Sequence, residues 1–302
     1  KLFHLNVSLE GISKGNISII WNIRFPRILL GFIAGAGLAV SGAGYQGIFK
    51  NPMADPFVLG ISSGAALGAA VGIIFHVTFR IGVFNSTMLL AFAGSFGALA
   101  LVYGISRVGR RVPVATLLLS GVAINSTLSA IMSFLMMMNR QSMDQIMFWT
   151  MGTLNGKGWS QISAVLPWEL IGLVIMLFSS RELDIMLTGE ETATQLGLNI
   201  EFVKKKILFA SSLLTASIIS VTGIIGFVGL VVPHVVRLFT GPKHRRLLPV
   251  SLVFGGAFMV ICDTLARSLT VSEIPVGVIT SICGGPFFLY LLRKSKKGGG
   301  RA

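Results

Sequence analysis

The chain has 302 residues, of which 53% are hydrophobic and only 12% charged, with 36 glycines and a formal net charge of +14. Soluble domains carry about a quarter of their residues charged, so this composition excludes a large water-soluble core. The Lys and Arg residues gather in short gaps beside apolar runs, which points the positive balance at membrane topology and anionic lipid, not at nucleic acid.

A hydrocarbon core of about 30 Å takes about 20 helical residues. The apolar runs predict nine spans near 26–48, 57–78, 83–105, 114–138, 160–179, 206–225, 226–240, 247–269 and 275–292, the seventh short and broken by Pro233. The expected fold is an all-α polytopic membrane helix bundle, one transmembrane domain over 1–297 with a flexible glycine-rich tail at 298–302. Residues 1–20 hold no signal-peptide hydrophobic region. With the gap after the first span in the cytoplasm, Lys50, Arg107, Arg110, Arg111, Arg181, Lys204 to Lys206, Lys243, Arg245, Arg246 and the basic end of the chain fall inside. That is the positive-inside bias. The odd number of spans then puts the N-terminus outside and the C-terminus inside, and the chain opens on Lys1; the expectation is a further membrane helix upstream.

In chain order, Gly31 and Gly35, then Gly60, Gly64, Gly68 and Gly72, recur every four residues, a spacing that lets helix backbones approach closely. Gly42, Gly44 and Gly47 spell GxGxxG, but late in a span and with no preceding strand, so they read as packing and not as a dinucleotide site. The turn from Asn51 to Asp55 is stiffened by Pro52, with Pro56 following. Gly60 to Gly64 spells GxSxG around Ser62, and of the four histidines only His234 lies deep in a span, with nothing to bring it to Ser62 as a base. Between Met132 and Met151 seven methionines cluster, Met136, Met143 and Met147 among them; flexible thioethers suit a pathway that lets bulky ligands slide. Residues 152–158, GTLNGKG, lack the spacing of a phosphate-binding loop, so the chain is not expected to bind ATP itself, to be an enzyme or to carry a cofactor or metal. Residues 188–199, TGEETATQLGLN, form a polar island in the longest cytoplasmic loop; read helically, Glu191 and Gln195 share a face, with Ala193, Leu196 and Gly197 small or apolar enough to dock in a groove. Gly223, Gly226, Gly229 and Pro233 mark a helix break, tolerated at membrane depth only where protein or a water-filled cavity satisfies the backbone. Cys262 and Cys283 read as packing residues.

The stretches RFPR (24–27), NPMADPFVLGISSGA (51–65), GEETATQLG (189–197), GIIGFVGLVVPHVVR (223–237) and EIPVGVITSICGGPFF (273–288) resemble the permease subunits of ABC importers for iron-siderophores, haem and cobalamin, the FecCD type, along essentially the whole chain. That family has ten transmembrane helices where nine are visible here. The resemblance implies a dimer of permeases, as a homodimer or with a paralogue, in a bacterial cytoplasmic membrane, with two cytoplasmic ABC ATPase subunits and an extracytoplasmic binding protein. It implies coupling helices at 188–200 with Glu190, Glu191, Ala193, Gln195, Leu196 and Gly197 as ATPase contacts. It likewise implies Arg24 and Arg267 as docking points for the binding protein, and Asn51, Met53, Val114 and Ala115 at the cytoplasmic gate. The competing class is an ion-coupled secondary carrier, whose mid-span ionisable residues would be Asp263 and Glu169.

Overall fold

A computed structural model describes residues 14–109 and 112–298. Arg110, Arg111 and the tail from residue 299 lie outside the described residues, and residue 298 closes the last helix. A short helix α1 (Lys14–Ile19) passes through one π-helical turn (Ile20–Arg24) into α2 (Phe25–Phe49). The membrane helices that follow are α3 (Ile61–Ile74), α4 (Ser86–Ser106), α5 (Val114–Met138), α7 (Trp159–Phe178), α10 (Ile200–Thr222), α11 (Val228–Thr240), α12 (His244–Ser268) and α13 (Val276–Gly298). Short helices α6 (Met143–Thr150), α8 (Ser180–Met186) and α9 (Glu190–Gln195) lie between them, and a two-residue hairpin, β1 (Arg80–Ile81) with β2 (Phe84–Asn85), caps the α3–α4 connection.

The expected spans match these helices with instructive shifts. The second, placed at 57–78, is a helix of only 14 residues, because Asp55 caps a 3-10 turn over Pro56–Leu59 and Gly60, at φ +78°, turns the chain before α3 begins. The sixth starts at Ile200 instead of 206, since Asn199 accepts the Phe202 N–H at 3.1 Å and starts the helix ahead of its lysines. The sixth and seventh do not touch: residues 223–227 are non-helical, with Gly223 at φ +76° and Phe227 at φ +68°. A Cβ on Gly223 would sit 2.0 Å from the Trp149 carbonyl oxygen. Part of the freed backbone is satisfied by protein, for the Thr153 N–H donates to Thr222 O at 2.7 Å and the Val228 N–H to Gly226 O at 2.9 Å.

Glycine decides how closely the helices pack. An ideal Cβ on Gly35 would lie 2.0 Å from Gly255 O, one on Gly64 2.3 Å from Gly94 O, and one on Gly42 1.7 Å from Gly229 O. These contacts bind α2 to α12, α3 to α4 and α2 to α11. The GxGxxG run is accordingly packing surface, Gly44 lying against Met176 and Ser211 and Gly47 against His244 and Leu183. Gly42→Val should destabilise the chain by about 3 kcal/mol or more, since backbone faces backbone and neither can yield. Gly97→Ala, where nothing lies within 4 Å, should leave it unchanged or gain up to about 1 kcal/mol. Thermal melts of the two variants in detergent micelles test the contrast.

At the centre, α10 is buried from Ala210 to Thr222, so it can carry several polar residues without facing lipid. Its polar groups are paired inward: Ser41 Oγ donates to Ser211 O at 2.8 Å and lies 2.7 Å from Thr215 Oγ1, and Tyr45 Oη lies 2.7 Å from Ser212 Oγ.

Candidate functional site

The candidate residues fall at two ends of the bundle, the end where α2 starts at Arg24 and the end where it finishes beside Lys50, joined by an open helix face. At the Lys50 end, α8 and α9 form an elbow. The two short helices begin at Ser180, so the segment expected at 188–200 opens earlier and holds only the second of them. Glu182 pairs with Lys206 of α10, and Asp184 accepts the His244 backbone N–H at the start of α12. Gly189 at φ +114° turns the chain into α9, and Gly197 at φ +83° ends it, backbone states that a side chain would strain. Leu183, Met186 and Ala193 are buried beneath the elbow. Ala193 is therefore corrected: at 0% exposure it anchors α9 to its own fold and offers nothing to a partner. Glu191, Gln195, Leu196 and Gly197 are exposed, and Glu191 and Gly197 border a cleft of about 720 Å³ together with Glu190, Thr194 and Glu201. Glu190 is only partly available, because its carboxylate is 2.9 Å from Lys204 Nζ.

Beside the elbow, the turn after α2 is built by Lys50 at φ +49° and by Asn51, whose Oδ1 accepts the Met53 N–H at 2.9 Å. Asp55 Oδ1 accepts the Phe57 N–H at 2.8 Å. Desolvation pushes the Asp55 carboxyl up to about 6, against the opposing pull of that hydrogen bond. Asn51 and Ala115 are exposed, Met53 and Val114 half-buried. The turn joins α5 further along, where Gly121 leaves room for Val58 O.

At the Arg24 end, Pro26 has no N–H to give, and the Phe25 N–H reaches back to Ile20 O in the π-helical turn. The orphaned Trp21 carbonyl is taken by Trp159 Nε1 at 3.0 Å, inside a cluster of Trp21, Phe25 and Trp159 with ring centroids 5.3 to 5.7 Å apart. Such amphipathic rings suit a membrane interface. Arg24 is exposed on this turn. Arg27 is buried: Nε lies 3.1 and 3.0 Å from the two Asp263 carboxylate oxygens, Nη2 2.8 Å from Asp263 Oδ1, and Nη1 2.8 Å from Glu273 Oε2. Arg267, for which docking and a helical pair with Asp263 are the two readings, is about a quarter exposed and stands 4.0 Å from Asp263 Oδ2, one turn away. Nothing in the sequence paired Arg27 with Asp263; the available signal was an acid in an otherwise apolar span.

The open face runs along α5, where only Leu117 and Gly121 are buried. Met143 and Met147 are exposed on α6, next to Phe134, Met137 and Met138 of α5. Met136 is half-buried, packed against the cluster of Ala70, Ile73, Ile74 and Ile146. Sequence reasoning passed over the polar stripe of α5: Ser126, Thr127 and Ser129 are exposed in mid-span. Cys262 is buried and Cys283 exposed.

The profile of the FecCD transport family matches residues 3–294. The chain belongs to the FecCD transport family. It is 49% identical over 283 residues to the cobalamin import system permease protein BtuC of Halobacterium salinarum, covering 94% of this chain and 75% of that protein. It is 41% identical over 288 residues to the hemin transport system permease protein HmuU of Yersinia pestis, covering 92% and 84%. Among solved structures it resembles one described as an inward-facing conformation of a metal-chelate type ABC transporter, with TM-score 0.87, 32% identity and coverage of 95% and 91%. This FecCD chain is thus an all-α integral membrane permease of the ABC-transporter class, and permeases of this class are not the catalytic subunits. In FecCD terms, the elbow, the turn after α2 and the Arg24 end are the regions that the motifs at 189–197, 51–65 and 24–27 mark.

Proposed function

We propose that the chain is the transmembrane subunit of an ATP-driven importer that accepts an iron chelate, siderophore or haem, or cobalamin from an extracytoplasmic binding protein and passes it across the bacterial cytoplasmic membrane. In this reading the Lys50 end and the C-terminus are cytoplasmic, lipid surrounds the bundle, and two ABC ATPase subunits sit below it. The observation that carries the reading is the elbow. Its two short helices are bound to α10 and α12 by ion pairs and hydrogen bonds, yet Glu191 borders an open cleft and Gln195 and Leu196 are exposed. A lever fixed to the bundle and free on its other side transmits a partner's motion.

Two features support the rest. The exposed Ser126, Thr127 and Ser129 of α5 are costly against lipid and sensible against water or another protein, which favours a second permease copy enclosing a central pathway between facing α5 helices, with Met143 and Met147 near its outer half. The carrier reading needs ionisable groups open to that pathway. Instead, Glu169 is fully buried and accepts the Ser217 Oγ–H at 2.7 Å, and Asp263 is held by Arg27.

Purifying the chain alone and with its cognate ATPase separates the two: hydrolysis that depends on the assembled complex supports the importer, and uptake by the isolated chain driven by an ion gradient refutes it. Within the importer reading, Glu191→Lys with Gln195→Lys should lower the yield of co-purified ATPase by about tenfold, equivalent to about 1.4 kcal/mol, with the chain's melting temperature unchanged. Undiminished co-purification would remove these residues from the docking surface.

A further inference from the structure

Lys204 lies in the first turns of α10, only 8% exposed, with Nζ 2.9 Å from Glu190 Oε1 on α9 and 3.9 Å from Glu201 Oε1 on its own helix. The other oxygen of Glu201 accepts the backbone N–H of Val112 at 3.2 Å. Val112 is buried and precedes Pro113, which stands immediately before α5. A residue before proline is confined to extended backbone, and proline fixes its own φ, so residues 112–114 move as one stiff piece. The start of α5 also lies against the end of α4: Thr116 Oγ1, whose shortest acceptor is Pro113 O at 2.8 Å, is 3.2 Å from Ser106 O, and Ser106 Oγ, whose shortest acceptor is Val102 O at 2.6 Å, is 3.3 Å from Thr116 O.

We infer that Lys204 and Glu201 are positioning residues that tie the coupling elbow to the inner end of α5, so that displacement of α9 is delivered to Val114 and Ala115 at the gate. The inference rests on the importer reading and names the contacts through which that motion would pass. A buried ammonium cannot be left unpaired without a large penalty. If α9 shifts, Lys204 follows Glu190, and Glu201, held by both Lys204 and the Val112 N–H, carries the 112–114 piece with it. Without Lys204 nothing joins the carboxylates of Glu190 and Glu201, and the elbow moves independently of α5.

The test uses the assembled permease–ATPase complex, with Cys262 and Cys283 replaced by Ala and Ala115→Cys as a reporter. The rate of labelling by a polyethylene glycol maleimide is read without nucleotide and after trapping with ATP and vanadate. The parent complex should show a nucleotide-dependent change of about tenfold, within the usual range of allosteric coupling. Lys204→Met should assemble with the ATPase but reduce that change to less than about twofold, Lys204→Arg should retain it, and Glu190→Gln added to Lys204→Met should have no further effect, as expected for two members of one linkage. A full nucleotide-dependent change in assembled Lys204→Met overturns the inference and leaves the importer reading intact. Failure of the parent chain to assemble with an ATPase, or to respond to nucleotide, overturns both.

Discussion

Asp263→Ala should destabilise the folded chain by about 3–5 kcal/mol, the range for removing one partner of a buried ion pair. Three of the four contacts of the Arg27 guanidinium go to this carboxylate, and Arg27 is 7% exposed. Glu273 remains to neutralise it, but only through Nη1 and from a side chain about a third exposed. Asp263→Asn, which keeps an acceptor, should cost less. The double substitution Arg27→Met with Asp263→Leu should return most of the loss, because apolar replacement of a whole buried pair is often neutral. Unfolding midpoints in mixed micelles decide it; an Asp263→Ala loss below about 1 kcal/mol would mean that the pair is solvated. The pair joins α2 to α12 and, through Glu273, to the segment leading into α13, so the loss should be global.

The second large effect belongs to the outer surface in the importer reading. Arg24→Glu with Arg267→Glu should reduce stimulation of ATP hydrolysis by the binding protein by about 100-fold or more, because each substitution turns an attraction into a like-charge contact costing several kcal/mol. Hydrolysis by the complex without binding protein reports that assembly survives. Arg267 is the more exposed partner of Asp263 and can leave it at little cost, since Arg27 already satisfies that carboxylate. Arg27→Met should behave differently, lowering stability while sparing stimulation per folded complex. Raising salt should weaken stimulation of the unaltered complex as well, as expected for exposed charges. Stimulation that persists in the double variant would move the docking surface away from these arginines.

Much of this was legible in the order of residues. Hydropathy along the chain is local information, and each of the nine apolar runs corresponds to one of nine membrane helices among the thirteen α-helices of the described residues, with the glycine spacings marking the close approaches of α2 and α3. The RFPR, NPMADP, GEETATQLG and GIIGFVGLVVPHVVR stretches identified the family because turn, break and elbow each need particular residues at particular positions. Span ends were less accurate where a side-chain cap overruled hydropathy, as Asn199 does for α10 and Asp55 before α3.

Which way each side chain faces was not legible. Ala193 and Leu196 looked equivalent in a polar island, yet one is sealed under the elbow and the other is open; α9 ends at Gln195, so Leu196 is already its capping residue, and only the neighbouring helices say which side of the elbow is covered. Met136 and Met137 divide in the same way. The chain alone determined that it threads a membrane and which end is basic, because the transfer of each segment into hydrocarbon depends on its own composition. Only the tertiary structure decided that Arg27 meets Asp263, 236 positions away, and that Lys204 joins Glu190 to Glu201, because a charge inside a low-dielectric bundle is tolerated only where packing has already brought its partner within reach.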